Sequence, residues 1–468
     1  MESTGRNSFN PNKQLKEEFV SNLSGSSMLE IAALSTIFPV VILLRHSFSS
    51  YKSHDPAYKV ALSKKSDKFD TSRNWTSFIA TLTMDFLLIV FPILLFLTVL
   101  AEWIHLSALL LMFVLGSLIV ITRSGSSVPS KATLDTLRMD VSLYRVCLMV
   151  ITCLCILAVD FRVFPRRYAK TETYGTSLMD LGVGSFVLAN AFVSRQARHA
   201  STLNLRSALS TSGPLILLGF GRLASTAGVD YQVHVGEYGV HWNFFFTLAA
   251  VAVLTSLINV PPQYCGILGS LILVGYQFSL NNGLNTYLVS SDRGSSIISQ
   301  NKEGVFSILG YWGMYLLGVN LGNYLFFKDR SSSNIQRKAW TRRKVWTFAV
   351  LFWLLAILLN QHVERVSRRM CNLSYVTLVV AVNLQWLAIL MLSDYVPGSS
   401  SSILEDAFNR NLLASFLVAN VLTGVVNLSF DTLFASTSTA LLILSAYLYL
   451  LSVIAGTLDF YGVRSKFW

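Results

Sequence analysis

Apolar runs of roughly 20 residues recur along the whole chain, each long enough to cross about 30 Å of hydrocarbon as a helix. They lie near residues 28–48, 78–100, 104–122, 143–161, 176–193, 207–224, 242–259, 264–280, 304–327, 345–360, 373–393, 408–428 and 433–457. The polar connections between them are too short to hold a soluble domain. The pattern predicts an all-α, polytopic membrane helix bundle of about 13 transmembrane helices. A polar segment at 1–27 precedes the multispanning domain at 28–457, and a short tail follows at 458–468. Within the first segment, Leu15, Phe19 and Leu23 fall at i, i+4 and i+8, the spacing of a short helix lying in the membrane interface. The first apolar run begins near Met28 after this polar stretch and is long enough to span, so it is expected to be retained rather than cleaved. The fifth and sixth runs are the least apolar. The fifth carries Asp180, and the sixth is broken by Gly213-Pro214; spans of this kind often line a cavity.

Composition agrees with the pattern. Of 468 residues, 53% are hydrophobic and only 13% charged, against about 25% charged in soluble domains. The net charge of +12 would raise nucleic acid in a soluble protein; in a membrane bundle it marks Lys and Arg in cytoplasmic loops, and no nucleic-acid partner is expected. Lys and Arg are in excess after the odd-numbered spans, chiefly in the stretches Tyr51–Arg73 and Lys328–Lys344. That excess predicts a lumenal N-terminus and a cytosolic C-terminus. The five cysteines lie in or beside apolar runs and are expected as packed thiols. Cys153-x-Cys155 lacks a second pair or a nearby His, so no metal site is expected.

One loop goes against the charge trend. Between the fourth and fifth spans stand Asp160, Arg162, Arg166, Arg167 and Lys170, on the side otherwise poor in cations. Either the span count is off by one, or these cations face an anionic substrate. Asp160 and Lys170 can meet across the turn that Pro165 imposes. By spacing alone they are either a salt bridge that fixes the loop or a working pair. In a working pair the carboxylate would take a hydroxyl proton and the ammonium would stabilise an oxyanion. Asp85 and Asp180, deeper in their spans, suit helix–helix hydrogen bonding or positioning of a catalytic group. His241 is the one His placed to serve as a membrane acyltransferase histidine, though a lone His at a span end suits a hydrogen-bonding role. Asn420, Thr423, Gly424 and Asn427 form a polar stripe at i, i+3, i+4 and i+7 that either glues helices together or lines a polar cavity. There is no His-x4-Asp dyad, no G-x-S-x-G elbow, no Walker A sequence and no H-E-x-x-H motif.

The longest distinctive stretch runs from Ala158-Val-Asp-Phe-Arg-Val-Phe-Pro-Arg-Arg-Tyr-Ala-Lys170 into Glu172-Thr-Tyr-Gly-Thr-Ser-Leu-Met-Asp-Leu-Gly-Val-Gly-Ser185. With Lys16–Ser27, Glu30, Thr83-Met-Asp85, Glu237–Asn243, Asn301–Gly304, Ser367-Arg-Arg369 and the segment from Ala419 to Asn427, it resembles the PIG-W family, also called GPI-anchored wall transfer proteins. The likeness spans the first to the twelfth apolar run. Arg162 departs from it, standing where the family often has a small or apolar residue.

The resemblance implies a membrane-bound acyltransferase of the endoplasmic reticulum in GPI-anchor biosynthesis. A long-chain acyl group, typically palmitoyl, would pass from acyl-CoA to the inositol 2-hydroxyl of glucosaminyl-phosphatidylinositol, with no cofactor beyond that co-substrate. Asp160 would be the general base, and Lys170 would orient it or stabilise the oxyanion. Arg166 and Arg167 would hold the lipid phosphate. Asp180, His241 and Asn243 would shape the headgroup pocket, and Asn420 and Asn427 would join the substrate site. A multispanning lipid or solute transporter, or flippase, is the alternative class; the lack of a clear internal repeat speaks against it.

Overall fold

The computed structural model describes Leu15, Glu18, Phe19 and residues 21–53, 74–125, 134–199, 205–227, 235–328, 334–396 and 402–463. Most of the predicted N-terminal helix, most of the Tyr51–Arg73 charge run, and the end of the tail lie outside the described residues. Among the described residues the regular structure is helical, with isolated backbone bridges from Gly25 and Ser26 to Thr176.

A helix stands at each of the thirteen apolar runs. They are α1 Met28–Ser53, α2 Trp75–Leu97, α3 Ile104–Gly125, α4 Leu134–Ala158, α5 Leu178–Phe192, α6 Leu205–Ala227 and α7 Phe244–Leu257. The series continues with α8 Pro262–Ser279, α9 Lys302–Phe327, α10 Asn334–His362, α11 Leu373–Leu390, α12 Leu412–Ser429 and α13 Thr437–Phe460. Among the described residues, nine are long and apolar enough to cross a membrane. The expected count of about thirteen crossings is therefore not reached by length and composition. The shortfall is α5, the apolar part of α6 and α7, which are short apolar helices, and α8, whose 18 residues include the polar Gln263, Tyr264, Tyr276 and Gln277 near its ends.

Local chemistry sets the helix starts. Ser177, Asn243 and Ser436 cap α5, α7 and α13 by accepting first-turn backbone N–H groups, and Pro262 opens α8 where its missing N–H costs nothing. Inward and lipid-facing surfaces then separate. The α11 region is 89% buried, whereas α3 and α12 are only 17% buried. Leu109, Phe113, Val421 and Leu428 are among the apolar side chains left exposed, as a bundle in hydrocarbon requires.

The chain forms two compact units. The first comprises residues 1–27, 166–330 and 348–383. Its helices approach closely through small residues. A Cβ on Gly269 of α8 would lie 2.8 Å from the Gly313 carbonyl of α9, and one on Gly184 of α5 would lie 2.9 Å from Tyr375 of α11. The less apolar fifth run is thus an inner helix. The sixth behaves otherwise: Leu217 and Phe220 of α6 are exposed rather than enclosed around a cavity.

The second unit comprises residues 28–165, 331–347 and 384–468. One apolar cluster joins Val40 and Leu43 of α1, Leu115 of α3 and Ile389 of α11. Paired charges hold the rest. Asp85 accepts from Arg45 Nε at 2.8 Å and from the Leu404 N–H at 3.3 Å, the helix-linking role open to it from sequence. Lys338 lies between Asp140 at 3.0 Å and Asp394 at 2.5 Å.

Candidate active site

In the second unit the chain leaves α4 through tight turns in which the Asp160 N–H donates to the Leu157 carbonyl and the Phe161 N–H to that of Ala158. Phe161 and Phe164, both fully buried, anchor the loop that follows. Asp160 itself is half-buried. Its Oδ2 accepts from Nδ2 of Asn427 at 2.7 Å, and the Asn427 oxygen in turn accepts from the Thr432 hydroxyl at 3.3 Å. Of the polar stripe on α12, Asn427 thus reaches the candidate base. Asn420 instead is exposed and donates back to the Phe416 carbonyl at 2.7 Å. Arg162 lies 5.4 Å from the Phe434 ring centroid, a local contact at the position that departs from the family resemblance.

In the first unit the loop continues through Arg166 and Lys170 into α5. The Arg166 guanidinium sits 3.9 Å from the Phe19 ring centroid, and Arg167 sits 5.2 Å from that of Tyr168. Phe19 of the N-terminal stripe is therefore a platform for a cation. Ser24, Gly25 and Ser26 run against the same loop. The Ser26 N–H donates to the Thr176 carbonyl at 2.6 Å and the Glu172 N–H to that of Leu23 at 3.0 Å. Gly25 and Gly175 make this approach possible. A Cβ on Gly175 would lie 2.1 Å from the Ser24 carbonyl oxygen, and its φ of +138° is one that other residues rarely adopt.

Beyond Lys170 the charges form a connected chain. Lys170 Nζ donates to Glu237 Oε1 at 2.8 Å, and Arg368 Nη1 donates to the same oxygen at 3.0 Å. Arg368 Nε donates to Asp180 Oδ1 at 2.9 Å. Asp180 also accepts from the Thr171 hydroxyl at 2.7 Å and from the Thr171 N–H. Asp180, in the first turn of α5, thus ties the loop to Arg368, a positioning role. Exposure grades along the chain: the side chains of Asp180 and Arg368 are 2% and 4% exposed, Glu237 18%, and Lys170 40%. The cluster is buried at its Asp180 end and reaches solvent at its Lys170 end. Burial pushes the Glu237 carboxyl up, but Lys170 and Arg368 outweigh that and hold it down at about 2. Glu237 is therefore a fixed anion at neutral pH.

A second group lies behind the first. Glu303 accepts from Arg369 Nη2 at 2.9 Å and from both terminal nitrogens of Arg293, at 2.6 and 3.0 Å. Lys302, fully buried, donates to the carbonyls of Tyr287, Ser290 and Asp292 at 2.7 to 3.0 Å.

His241 is exposed, and its backbone N–H donates to Asn301 Oδ1 at 2.7 Å. Asn243 is buried; its oxygen caps α7 and its Nδ2 donates to the Gly219 carbonyl at 3.0 Å. Both groups of its amide are thus engaged within the protein. Asp180 and Lys170 are brought into one network, whereas Asp160 and Asn427 belong to the other unit. Glu237 and Arg368 carry no role in the sequence reading, although each, like Glu303, lies in a stretch that marks the family resemblance. Their only signal was charge at a span end, which snorkelling also explains. The five cysteines are buried free thiols, and Ser177 uses its hydroxyl to cap α5, so none of these side chains is presented as a nucleophile.

Comparison with known proteins places this chain in a family. The GWT1 family model matches residues 12–458. A protein of Arabidopsis thaliana is 56% identical, over 92% of this chain and 99% of its own length. The phosphatidylinositol-glycan biosynthesis class W protein of Dictyostelium discoideum is 38% identical, over 69% of this chain and 74% of its own length. The glucosaminyl-phosphatidylinositol-acyltransferase PIGW of Mus musculus is 33% identical, over 97% of this chain and 99% of its own length. With the family model matching nearly from end to end, and the polytopic helical fold in agreement, the chain belongs to the GWT1 family.

Proposed function

We propose that this protein is a membrane-bound acyltransferase that acylates the inositol of glucosaminyl-phosphatidylinositol in GPI-anchor biosynthesis. The observation that carries this reading is the end-to-end similarity to the mouse glucosaminyl-phosphatidylinositol-acyltransferase, which extends over 97% of this chain. The finer reading takes long-chain acyl-CoA, such as palmitoyl-CoA, as donor and the inositol 2-hydroxyl as acceptor. It places the protein in the endoplasmic reticulum membrane with its N-terminus lumenal and its C-terminus cytosolic.

In this mechanism an Asp160 oxygen takes the proton of the inositol hydroxyl. The alkoxide oxygen attacks the thioester carbonyl carbon, the carbon–sulfur bond breaks, and CoA leaves as the thiolate. The Asn427 amide at 2.7 Å supports this role by holding the carboxylate in one orientation. For Lys170 the proposed role is that of a cation for negative charge on a substrate oxygen, and its 40% exposure leaves its ammonium open to an incoming group. Arg166 and Arg167 take the lipid phosphate through forked hydrogen bonds. His241, Asn243 and Asp180 shape the surroundings of the headgroup, Asn243 and Asp180 through the backbone they hold.

The test is acyl transfer from palmitoyl-CoA to glucosaminyl-phosphatidylinositol by the purified full-length protein. Asp160→Asn is expected to lower turnover by roughly 10²-fold or more, the usual worth of a general base. Asn427→Leu should lower it less, since it frees the base without removing it. Near-normal turnover in both Asp160→Asn and Lys170→Ala, at normal protein levels, would sink the assignment. A transporter would move lipid without consuming acyl-CoA.

A further inference from the structure

A groove on the first unit, away from the charged network, has the chemistry of a lipid site. Its floor is Gly266, Ser270 and Val274 of α8 with Leu317 of α9, and its walls are Tyr324 of α9 and Phe352 of α10. It is an open groove of about 630 Å³ with a mainly apolar lining. Gly266 keeps the floor low: a Cβ there would lie 2.7 Å from the Asn320 side-chain oxygen.

One end of the groove is basic. Lys328 Nζ lies 5.6 Å from the centroid of Tyr324, which lines the groove and packs edge-on against Phe348. Asn323 Nδ2 donates to the Ala197 carbonyl at 2.8 Å, tying the turn after α5 to this end of α9. Arg198, the next residue, sits 5.8 Å from the Phe327 ring centroid. Arg198 and Lys328 are both exposed. A smaller cavity of about 230 Å³ adjoins along the chain at Pro262, lined by Gln196, His199, Asn259 and Pro262. Gln196 is only 4% exposed, and its Oε1 is buried without a hydrogen-bond partner. A buried acceptor of that kind calls for a donor.

We infer that this region binds one anionic glycerophospholipid whose headgroup carries hydrogen-bond donors. An acyl chain lies along the α8–α9–α10 groove, the phosphate meets Arg198 and Lys328, and a headgroup hydroxyl donates to Gln196. A basic rim above an apolar groove selects an anionic lipid over a zwitterionic one. The site is separate from the acyl-transfer residues and does not depend on that reading.

The probe is phosphatidylinositol, offered with an equal amount of phosphatidylcholine in mixed micelles to the purified full-length protein; native mass spectrometry reads the lipid retained. The wild type is expected to prefer phosphatidylinositol by roughly tenfold or more, at about fivefold for each cation. The double variant Arg198→Gln, Lys328→Gln should bring the ratio near one, and Ser270→Phe, which fills the groove, should lower retention of both lipids. Equal retention by the wild type, or an unchanged preference in the double variant, overturns the proposal. Should a variant not fold, a phosphatidylinositol with a diazirine on its acyl chain decides on the wild type. Labelling of the α8 and α9 groove residues supports the site, and labelling confined to other helices refutes it.

Discussion

At the scale of single residues, Glu237 and Arg368 organise the charges around Lys170. Arg368 is 4% exposed and answers to both Asp180 and Glu237. Removing it leaves the buried Asp180 carboxylate without its cation, which costs about 3–5 kcal/mol, while Glu237 keeps Lys170. Lys170 is 40% exposed, so its loss costs at most about 1 kcal/mol of stability. Thermal unfolding in detergent should therefore separate them, with Arg368→Leu strongly destabilised and Lys170→Met nearly unchanged in stability although impaired in transfer. Equal destabilisation of the two would contradict the graded burial.

Glu237 makes a second prediction, in pH. Its carboxyl is held at about 2 against an ordinary 4.5. A depressed acid contributes stability that is complete above the unfolded value and is lost as pH falls through the folded one. The stability difference between wild type and Glu237→Gln should thus be flat from pH 8 to about 5 and shrink towards pH 2. A difference that narrows between pH 8 and 6 would show that another group controls it.

Elements are placed by caps and by close approach. The loop from Thr171 to Thr176 is pinned between Asp180 of α5 and the backbone of Ser24–Ser26. Gly175→Ala should displace it, because the new methyl meets the Ser24 carbonyl at 2.1 Å and the backbone is held at φ +138°. Limited proteolysis should then cut the 171–176 loop faster than in the wild type; an unchanged cleavage rate would mean that the segment adapts. The helices themselves were legible from apolar periodicity, and all thirteen stand where it puts them. Their crossing status was less legible. α5 carries Asp180 yet is an inner helix packed against α11, whereas α6 leaves Leu217 and Phe220 exposed, and only the packing shows it.

For the whole molecule, orientation rests on loop charge, a property of sequence that folding does not alter. Thirteen is odd, so the proposed orientation puts the two termini on opposite sides of the membrane. Glycosylation tags fused at each end should be modified at the N-terminus only. Modification at both ends would require an even number of crossings and would reverse the side assigned to part of the chain.

The Asp160–Lys170 loop shows where sequence stops. Alternation of apolar runs and polar connections determined the all-helical membrane class, because hydrocarbon leaves backbone polar groups no alternative to helix. The distinctive residues of that loop determined the family. Which partner each charge takes was decided by the tertiary structure. The ordered contacts put Asn427, 267 positions away, on Asp160, and put Glu237 and Arg368 on Lys170 and Asp180. A hydrogen bond depends on a separation of a few ångströms in space, and chain spacing bounds that separation only for near neighbours. The single loop that sequence presents as one acid–base pair is thereby resolved into two differently supported groups, an amide-oriented carboxylate and a lysine at the open end of a buried ion-pair chain.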